Sequence, residues 1–308
     1  TVTINPAIDK PVEAENFEAG GLSRIRRVVS DAVGEGNNVA KTIHELGVTS
    51  IASGFIGGTA GNTIKNVLKE WNIQDDFVIV SGETRTNTKV VDTKIGVTEL
   101  NEPGPAVTEE EVEQLIEKLE GYASADTLFV LAGSIPPGVD KGIYREITER
   151  VHKKGAKVLL DADGELFSES LTAVPDMIKP NRDELDRYYK MDYRPGEKEL
   201  VEMGRKFVEK GISQITISLG QMGALFIGEN KIYKASAVPV KVHSTVGAGD
   251  AMVAAMAYGW DRKMNMEETA KLAMATSAGA VATIGTKPPS RAYVEELLEQ
   301  AQLIKVEE

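Results

Sequence analysis

The chain has 308 residues, of which 42% are hydrophobic and 27% are charged, proportions that exclude a disordered or fibrous protein. Its 35 lysines and arginines are outnumbered by 47 aspartates and glutamates, which gives a formal net charge of −12. Because nucleic acids and anionic membranes are bound by basic surfaces, we expect neither as a partner. No apolar stretch reaches the roughly 20 residues that a membrane-spanning helix requires. The absence of cysteine excludes disulfides and a thiol nucleophile, and it is typical of a cytoplasmic protein.

Short β-branched runs alternate with amphipathic segments along most of the chain. Strands are predicted at residues 50–56, 127–131, 157–160 and 215–219. Helices are predicted at residues 38–46, 62–71, 109–119, 141–153, 200–210, 251–260, 266–284 and 291–303. Apolar strand segments of this kind are buried on both faces. The alternation therefore predicts an α/β fold, with a doubly wound, mostly parallel sheet and helices on both faces.

Two segments, at about residues 11–31 and 85–100, interrupt this alternation, because both have strand-like polar alternation without an intervening helix. We expect them to form a small β-sheet that acts as a lid over a cleft, although an ordinary edge hairpin would produce the same pattern. The apolar residues expected on this sheet, which could also contact a second copy of the chain, are Val12, Ala14, Val28, Val90 and Ile95. With no linker or repeat in the sequence, residues 1–308 are predicted to form a single domain that carries the lid.

The strongest local signal is residues 244–250, Ser-Thr-Val-Gly-Ala-Gly-Asp, directly before an apolar helix. Small residues at the start of a helix allow several backbone amides, here those of Gly247, Ala248 and Gly249, to bind one anion. Asp250 would repel that anion unless it has a separate role, such as accepting the proton of a hydroxyl that attacks a phosphoryl group. The plainer interpretation is a helix N-terminus with an aspartate in its first turn. The segment is neither a Walker A loop nor a dinucleotide fingerprint.

Residues 244–250 resemble the second signature of the ribokinase-like carbohydrate kinases, the PfkB family. Six further segments are similar to that family in the same chain order, at residues 5–9, 34–40, 84–89, 100–105, 133–138 and 179–185. Two of them, 84–89 and 100–105, resemble the phosphohexose branch, which includes 1-phosphofructokinase and tagatose-6-phosphate kinase. The resemblance implies a ribokinase-like fold, ATP and Mg²⁺ as cofactors, and a homodimer joined partly through the lids.

Several residues are expected on the sugar side of the cleft. Asp9, predicted at a strand end, has a carboxylate that can accept hydrogen bonds from neighbouring sugar hydroxyls. A cap on the following turn is its plainer role. Gly34 and Gly36 would allow the backbone to approach the sugar closely, and Asn38 can cap the helix or bind a hydroxyl.

Arg85 and Lys89 lie on the same face of a predicted strand, where two cations make a candidate phosphate site. Isolated cations on a strand more often face solvent. Residues 33–36 depart from the phosphohexose branch, since they are Val-Gly-Glu-Gly where that branch usually has Gly-Gly-Lys-Gly. Glu35 either points to solvent or pairs with Arg24 or Lys89, or it faces the site and changes the preferred substrate.

The resemblance also implies a nucleotide site, with Gly247 and Gly249 at the phosphates. The other residues expected to contact the nucleotide are Lys179, Asn181, Ser218, Gly220, Gly223 and Thr245. Glu184 completes an Asn-x-x-Glu pattern with Asn181. Because Mg²⁺ keeps most of its bound waters, Glu184 is expected to hold the ion through water.

These features predict an ATP-dependent kinase of a ketohexose monophosphate in which Asp250 is the base. We favour phosphorylation of fructose 1-phosphate to fructose 1,6-bisphosphate; the alternative is tagatose 6-phosphate to tagatose 1,6-bisphosphate. A kinase of an unphosphorylated sugar or nucleoside would not need Arg85 and Lys89. A non-catalytic sugar-phosphate sensor would not need Asp250. A nucleotide-dependent oxidoreductase is least favoured, because no glycine-rich turn follows the first strand.

Overall fold

The computed structural model describes residues 1–15, 17–18, 20–28, 31–92, 94, 96–283 and 285–306. The strands are β1 Val2–Thr3, β2 Ala7–Ala14, β3 Ile25–Val28, β4 Asp31–Val33, β5 Ile51–Ile56, β6 Gln74–Asp75, β7 Val78–Ile79, β8 Arg85–Asp92, β9 Gly96–Asn101, β10 Leu128–Ala132, β11 Lys157–Asp161, β12 Met177–Ile178, β13 Gln214–Ser218, β14 Ala224–Gly228, β15 Ile232–Ala235 and β16 Leu303–Lys305. The α-helices are α1 Glu35–Glu45, α2 Gly58–Glu70, α3 Glu109–Tyr122, α4 Ile143–His152, α5 Gly164–Ser170, α6 Arg182–Tyr188, α7 Glu197–Glu209, α8 Ala248–Asp261, α9 Met266–Val281 and α10 Arg291–Leu298.

The main sheet has the strand order β16-β15-β14-β13-β12-β11-β10-β1-β5-β6, and β7 also pairs with β5. Its strands are parallel from β5 to β13, as the alternating pattern predicts. The edge made by β14, β15 and β16 is antiparallel and was not predicted. Leu303, predicted as the last residue of a helix, is instead the first residue of β16, because α10 stops at Leu298 and the chain returns to pair with β15.

Side chains of the parallel strands pack alternately on the two sides of the sheet. In β10, Phe129 and Leu131 join a core that includes residues of α3, α4, α5 and α7. Val130 and Ala132 join the opposite core, formed with α1, α8, α9 and α10. The prediction of a sheet covered by helices on both faces is therefore confirmed. Among the described residues, no helix is both long enough and apolar enough to cross a membrane.

A second, small sheet has the order β3-β2-β8-β9, with β4 paired to β2. The two segments predicted to interrupt the alternation of strands and helices thus contribute strands to one small sheet. In this sheet β2 and β8 pair in parallel over their whole lengths. Val12, Ala14 and Val90 are buried inside the chain, so they are not available for the contacts with a second copy that the sequence suggested. Val28 is 46% exposed. Ile95 lies outside the described residues.

Asp9 lies inside β2 rather than at the end of a strand. The first strand of the main sheet stops at Thr3, and the chain then passes through Asn5 and Pro6 into the small sheet. Because proline has no backbone N–H to donate to a ladder, it favours such a break between strands. The break carries Asp9 from the main sheet to the wall of the cleft between the two sheets.

Candidate active site

A cleft of about 260 Å³ lies where the small sheet faces the carboxyl ends of the central parallel strands and the first turns of α1 and α8. The carboxyl ends of parallel strands are the common ligand-binding edge of α/β folds. The polar and charged residues that line the cleft are Thr3, Asn5, Asp9, Glu35, Asn38, Arg85, Asn87, Lys89, Glu99, Asn101, Ser134, Asp250 and Thr286.

Asp250 is presented to this cleft by the start of α8. Gly247 precedes the helix with a φ of 82°, a left-handed conformation that glycine adopts without strain. The first helical turn leaves backbone amides without intrahelical partners, as an anion site requires. Asp250 is 9% exposed, and one of its oxygens accepts a hydrogen bond from Asn38 Nδ2 at 2.8 Å. Burial raises the pKa of Asp250 to about 6, and nearby Asp161 adds to this rise, whereas the Asn38 hydrogen bond opposes it.

Lys179 and Asp161 form a buried ion pair beside the same helical turn, with 3.0 Å between Nζ and Oδ1. Asp161 ends β11, and Lys179 follows β12, the neighbouring parallel strand. Burial by itself would lower the pKa of Lys179, but the carboxylates of Asp161 and Glu184 raise it above its ordinary value. A side chain at Gly249 would lie 3.4 Å from Lys179 Nζ, so the ammonium group borders the amides of the α8 N-terminus. Lys179 can therefore bind the anion for which these amides are suited.

Glu35, the first residue of α1, lines the cleft and is exposed to solvent. Carboxylate oxygens of Glu35, Asp161 and Asp250 lie within 4.8 Å of one another. In the described part of the chain, Glu35 forms no ion pair with Arg24 or Lys89; Lys89 pairs instead with Asp9, at 2.6 Å. The departure from the family pattern at this position thus brings a carboxylate to the site.

The two cations of the small sheet differ in their partners. Arg85 donates hydrogen bonds to the backbone oxygens of Asn5 and Glu102 and to Ser134 Oγ, all of them neutral acceptors. Burial lowers the pKa of Arg85, and the charges of Asp9 and Glu35 act in the opposite direction. Lys89, two pleats along β8, is neutralised by Asp9. Both side chains line the cleft, as the strand pattern predicts. Lys89 is paired with a carboxylate, whereas the hydrogen-bond acceptors of Arg85 are uncharged.

Four amide and carboxylate oxygens of residues that line the cleft are buried without a hydrogen-bond partner among the described residues. They belong to Asn5, Asp9, Asn38 and Asn87. Buried polar atoms without a partner are uncommon in folded proteins. Their position indicates a ligand that is rich in hydroxyl groups and that would donate hydrogen bonds to them.

Two glycines of the family-like segment at residues 34–40, Gly34 and Gly36, have different surroundings. Gly34 precedes α1 and lines the cleft. Gly36 is buried against β1, where a Cβ atom would come within 2.5 Å of Thr3 Oγ1. The structure therefore brings Gly34 to the proposed sugar site, whereas Gly36 allows α1 to pack closely on the central strand.

Two of the residues predicted to contact nucleotide, Asn181 and Ser218, lie next to each other at the carboxyl-end edge of the main sheet. Asn181 and Glu184 form a capping box at the start of α6, in which both Glu184 oxygens accept hydrogen bonds from Asn181. The backbone of Asn181 also forms an isolated parallel β-bridge with that of Ser218 at the end of β13. Gly220, like Thr245 before α8, is exposed, and Gly223 is buried in the turn that leads to β14. Each Glu184 oxygen keeps a free lone pair, which fits a Mg²⁺ ion held through water.

Three residues near or in the cleft were not predicted from the sequence: Asp161, Asn87 and Ser134. Asp161 directly follows the predicted strand at residues 157–160, and a carboxylate at the end of a buried parallel strand is the signal that could have indicated it. Asn87 lies between Arg85 and Lys89 on the same face of β8 and shares their periodicity.

Residues 4–292 match the pfkB family of carbohydrate kinases. The chain is 32% identical to the 1-phosphofructokinase of Bacillus subtilis (99% of each chain covered) and 31% identical to that of Vibrio cholerae (98% of this chain, 95% of the other). It also resembles the structure of Escherichia coli phosphofructokinase-2 in complex with substrates and products, with a TM-score of 0.90, 27% identity and 97% of each chain covered. The ribokinase-like fold and the enzyme class predicted from the sequence are thereby confirmed. The chain belongs to the pfkB family of carbohydrate kinases.

Proposed function

We propose that the protein transfers the γ-phosphoryl group of ATP to the C6 hydroxyl of fructose 1-phosphate, which gives fructose 1,6-bisphosphate. The observation that carries this proposal is the position of Asp250, buried at the N-terminus of α8 and facing a cleft with Arg85 and Lys89 in its wall. Relatives named 1-phosphofructokinase, which match over nearly the whole chain, support the choice of substrate.

Asp250 accepts the proton of the attacking hydroxyl. A pKa of about 6 leaves the carboxylate ionised at neutral pH yet basic enough to accept a proton as the new bond forms. The amides of Gly247, Ala248 and Gly249, together with Lys179, stabilise charge on the transferred phosphoryl group. The chain thus contributes mainly positioning and electrostatic stabilisation, which is what phosphoryl transfer requires.

The sugar phosphate is held from the small sheet. Arg85, which has neutral hydrogen-bond partners, binds the phosphate, and Lys89, which is paired with Asp9, contributes less. The unpartnered oxygens of Asp9, Asn38 and Asn87 accept hydrogen bonds from sugar hydroxyls. Gly34 allows close approach to the ring.

The nucleotide binds along Thr245, Ser218, Gly220 and Gly223, with its phosphates at Lys179 and the α8 N-terminus. Asn181 orients Glu184, which would hold Mg²⁺ through water. When bound, Mg²⁺ neutralises charge on the β and γ phosphates.

Two further substrates remain candidates. Tagatose 6-phosphate would place its C1 hydroxyl at Asp250 and its phosphate at Arg85. An unphosphorylated sugar is favoured by one observation, the carboxylate of Glu35 within the cleft, which opposes an anionic ligand when it is ionised.

We also propose that the small sheet closes over the sugar as a lid and joins two copies of the chain. Several apolar side chains of this sheet are exposed, among them Ile25 at 53%, Val97 at 59% and Leu100 at 57%. Burial of such side chains in an interface would remove apolar surface from water.

A coupled assay of ADP release across a panel of sugars tests the proposed function. The panel contains fructose 1-phosphate, tagatose 6-phosphate, fructose 6-phosphate, fructose, ribose and a nucleoside. We expect the highest kcat/KM with fructose 1-phosphate. Higher kcat/KM with a neutral sugar would overturn the phosphosugar assignment, and no turnover with any compound would favour a non-catalytic sensor.

A further inference from the structure

The hydroxyl group of Tyr144 lies behind the wall of the cleft and has no part in the function proposed above. Tyr144 is the second residue of α4, and its side chain is completely buried in the hydrophobic core on one face of the main sheet. Its Oη donates to the backbone oxygens of Ala132, at 2.9 Å, and of Gly133, at 3.1 Å. Because a tyrosine hydroxyl has one hydrogen, the two carbonyl groups share it. One buried side chain thus contacts two successive peptide groups at the carboxyl end of β10.

These two peptide groups form the turn that brings Ser134 to the cleft. β10 ends at Ala132, and Gly133 follows with a φ of 95°, a left-handed conformation that glycine adopts without strain. Gly133 N donates to the backbone oxygen of Asp161, at 3.2 Å, so the peptide groups on both sides of Gly133 are held. Because the N–H and C=O groups of a trans peptide point in opposite directions, the bond from Tyr144 directs Ser134 N–H away from the buried ring. Gly133 and Ser134 both line the cleft.

Ser134 connects this turn to the proposed phosphate ligand. Its Oγ accepts a hydrogen bond from Arg85 Nη2 at 3.0 Å, and the same nitrogen donates to the backbone oxygen of Asn5 at 2.9 Å. Arg85 begins β8 of the small sheet, whereas Ser134 follows β10 of the main sheet. The guanidinium group is therefore positioned in part by the turn that Tyr144 holds.

We propose that Tyr144 is a positioning residue for the sugar phosphate: its hydroxyl group fixes the turn at Gly133 and Ser134, and Ser134 Oγ fixes the guanidinium group of Arg85. This inference rests on the proposed function. A donor that is fixed before the ligand binds reduces the conformational entropy that binding loses. Burial raises the pKa of Tyr144 well above its ordinary value, so the hydroxyl group keeps its proton and continues to donate at neutral pH.

The other role open to this hydroxyl group is structural, since buried carbonyl groups need hydrogen-bond donors. A structural role alone would affect the stability of the folded chain without a selective effect on the sugar phosphate. Tyr144→Phe distinguishes the two roles, because it removes the hydroxyl group and keeps the ring that fills the core. Tyr189→Phe is the matched control: Tyr189 Oη also donates to a backbone oxygen, that of Met203 at 3.3 Å, but Tyr189 does not line the cleft.

The first experiment measures the KM for fructose 1-phosphate, the KM for ATP and kcat in wild type and in both variants. For Tyr144→Phe we expect the sugar-phosphate KM to rise by roughly three- to tenfold, the range that loss of one hydrogen bond implies, and the KM for ATP and kcat to change by less than about twofold. Tyr189→Phe should match wild type in all three. A Tyr144→Phe enzyme that unfolds at a lower temperature but keeps the wild-type sugar-phosphate KM would overturn the proposal, as would equal rises of the two KM values.

The second experiment combines Tyr144→Phe with Ser134→Ala. Ser134 is exposed, so its replacement should leave folding intact, and on its own it tests the link to Arg85. Ser134→Ala should raise the sugar-phosphate KM, and the addition of Tyr144→Phe should raise it little further, because both changes interrupt the same series of contacts. An unchanged KM in Ser134→Ala, or effects of the two substitutions that multiply in full, would refute the proposal.

The third experiment needs no turnover, so it separates this inference from the assignment of fructose 1-phosphate as the substrate. Amide hydrogen exchange at residues 133–135 is compared among the substrate-free proteins. Because the Tyr144 hydroxyl group holds this turn, exchange there should be faster in Tyr144→Phe than in wild type and unchanged in Tyr189→Phe. Equal exchange in wild type and Tyr144→Phe would show that the hydroxyl group does not fix the turn and would overturn the inference.

Discussion

Asn38 Nδ2 donates a hydrogen bond to Asp250 Oδ2 at 2.8 Å and so connects the first turn of α1 to the first turn of α8 across 212 positions of sequence. Both side chains are buried, at 7% and 9% exposure. The bond fixes one carboxylate oxygen and favours the ionised form of Asp250 against the effect of burial. The carboxylate proposed as the base is therefore held in place by the same helix that carries Glu35.

Replacement of Asp250 by Asn retains the shape of the side chain but removes the base. We expect kcat to fall by roughly 10²–10⁴-fold, the usual contribution of a general base, with ATP affinity nearly unchanged. Turnover is measured by ADP release and nucleotide binding by calorimetry. Asp261→Asn, at the far end of α8, is the control and should retain wild-type turnover. An Asp250→Asn enzyme with near wild-type kcat would refute the assignment of the base.

The same substitution should stabilise the folded chain at alkaline pH. The pKa of Asp250 rises from 3.8 to about 6 on folding, so the folded chain retains a proton that the unfolded chain loses. The contribution of Asp250 to stability is thus fully present below about pH 3.8 and is lost as the pH rises through about 6. The difference corresponds to about 3 kcal/mol. Thermal unfolding should show a larger gain for Asp250→Asn at pH 8 than at pH 5, and an equal gain at both would contradict the raised pKa.

Loss of the Asn38 hydrogen bond should move the acidic limb of the pH profile of kcat/KM to higher pH. Because this bond lowers the pKa of Asp250, Asn38→Leu should raise it, and the acidic limb of kcat/KM should move from near pH 6 to higher pH. The position of the limb, rather than the height of the profile, is the measurement, since Asn38 is also expected to contact the sugar. An unchanged limb would mean that the bond does not control ionisation of the base.

Arg85 and Lys89 should contribute unequally to sugar-phosphate binding. We expect Arg85→Gln to raise the KM for fructose 1-phosphate by roughly ten- to a hundredfold, the scale of a hydrogen bond to a charged group. Lys89→Gln should have a smaller effect, because the ammonium group is already neutralised by Asp9. Neither change should alter the KM for ATP. Equal effects of the two substitutions on the sugar-phosphate KM would argue against Arg85 as the main phosphate ligand.

The proposed dimer is tested by sedimentation velocity at micromolar concentration. Wild type should sediment as a dimer, and Val97→Lys, which places a charge on the exposed part of the small sheet, should shift it toward monomer. Ile79→Lys is the control, since Ile79 is equally exposed, at 62%, but lies on β7 of the main sheet. A fully active monomeric wild type would disprove the dimer.

Local patterns were sufficient for much of the fold. The predicted strands at residues 50–56, 127–131, 157–160 and 215–219 correspond to β5, β10, β11 and β13 within a residue or two. Apolar runs between turn residues depend only on neighbours in sequence, so they can be identified without a structure. The start of α8 was predictable for the same reason, because small residues and an acidic first turn are local signals of a helix N-terminus. The antiparallel edge of β14 to β16 was missed, because β16 pairs with a strand about 70 residues earlier and its short sequence resembles a helix end.

The charge state of the site depends on distances between residues that are remote in sequence. Glu35, Asp161 and Asp250 lie on three different elements, and no pattern in the chain indicates that their carboxylates converge. The sequence left open whether Glu35 faces solvent or the site; the packing of α1 against β1, with Gly36 on Thr3, turns it toward the cleft. Likewise, only the parallel pairing of β2 with β8 brings Lys89 to Asp9 and leaves Arg85 with neutral partners. Coulomb energies depend on separation and on burial, and both are set by the packing of distant segments.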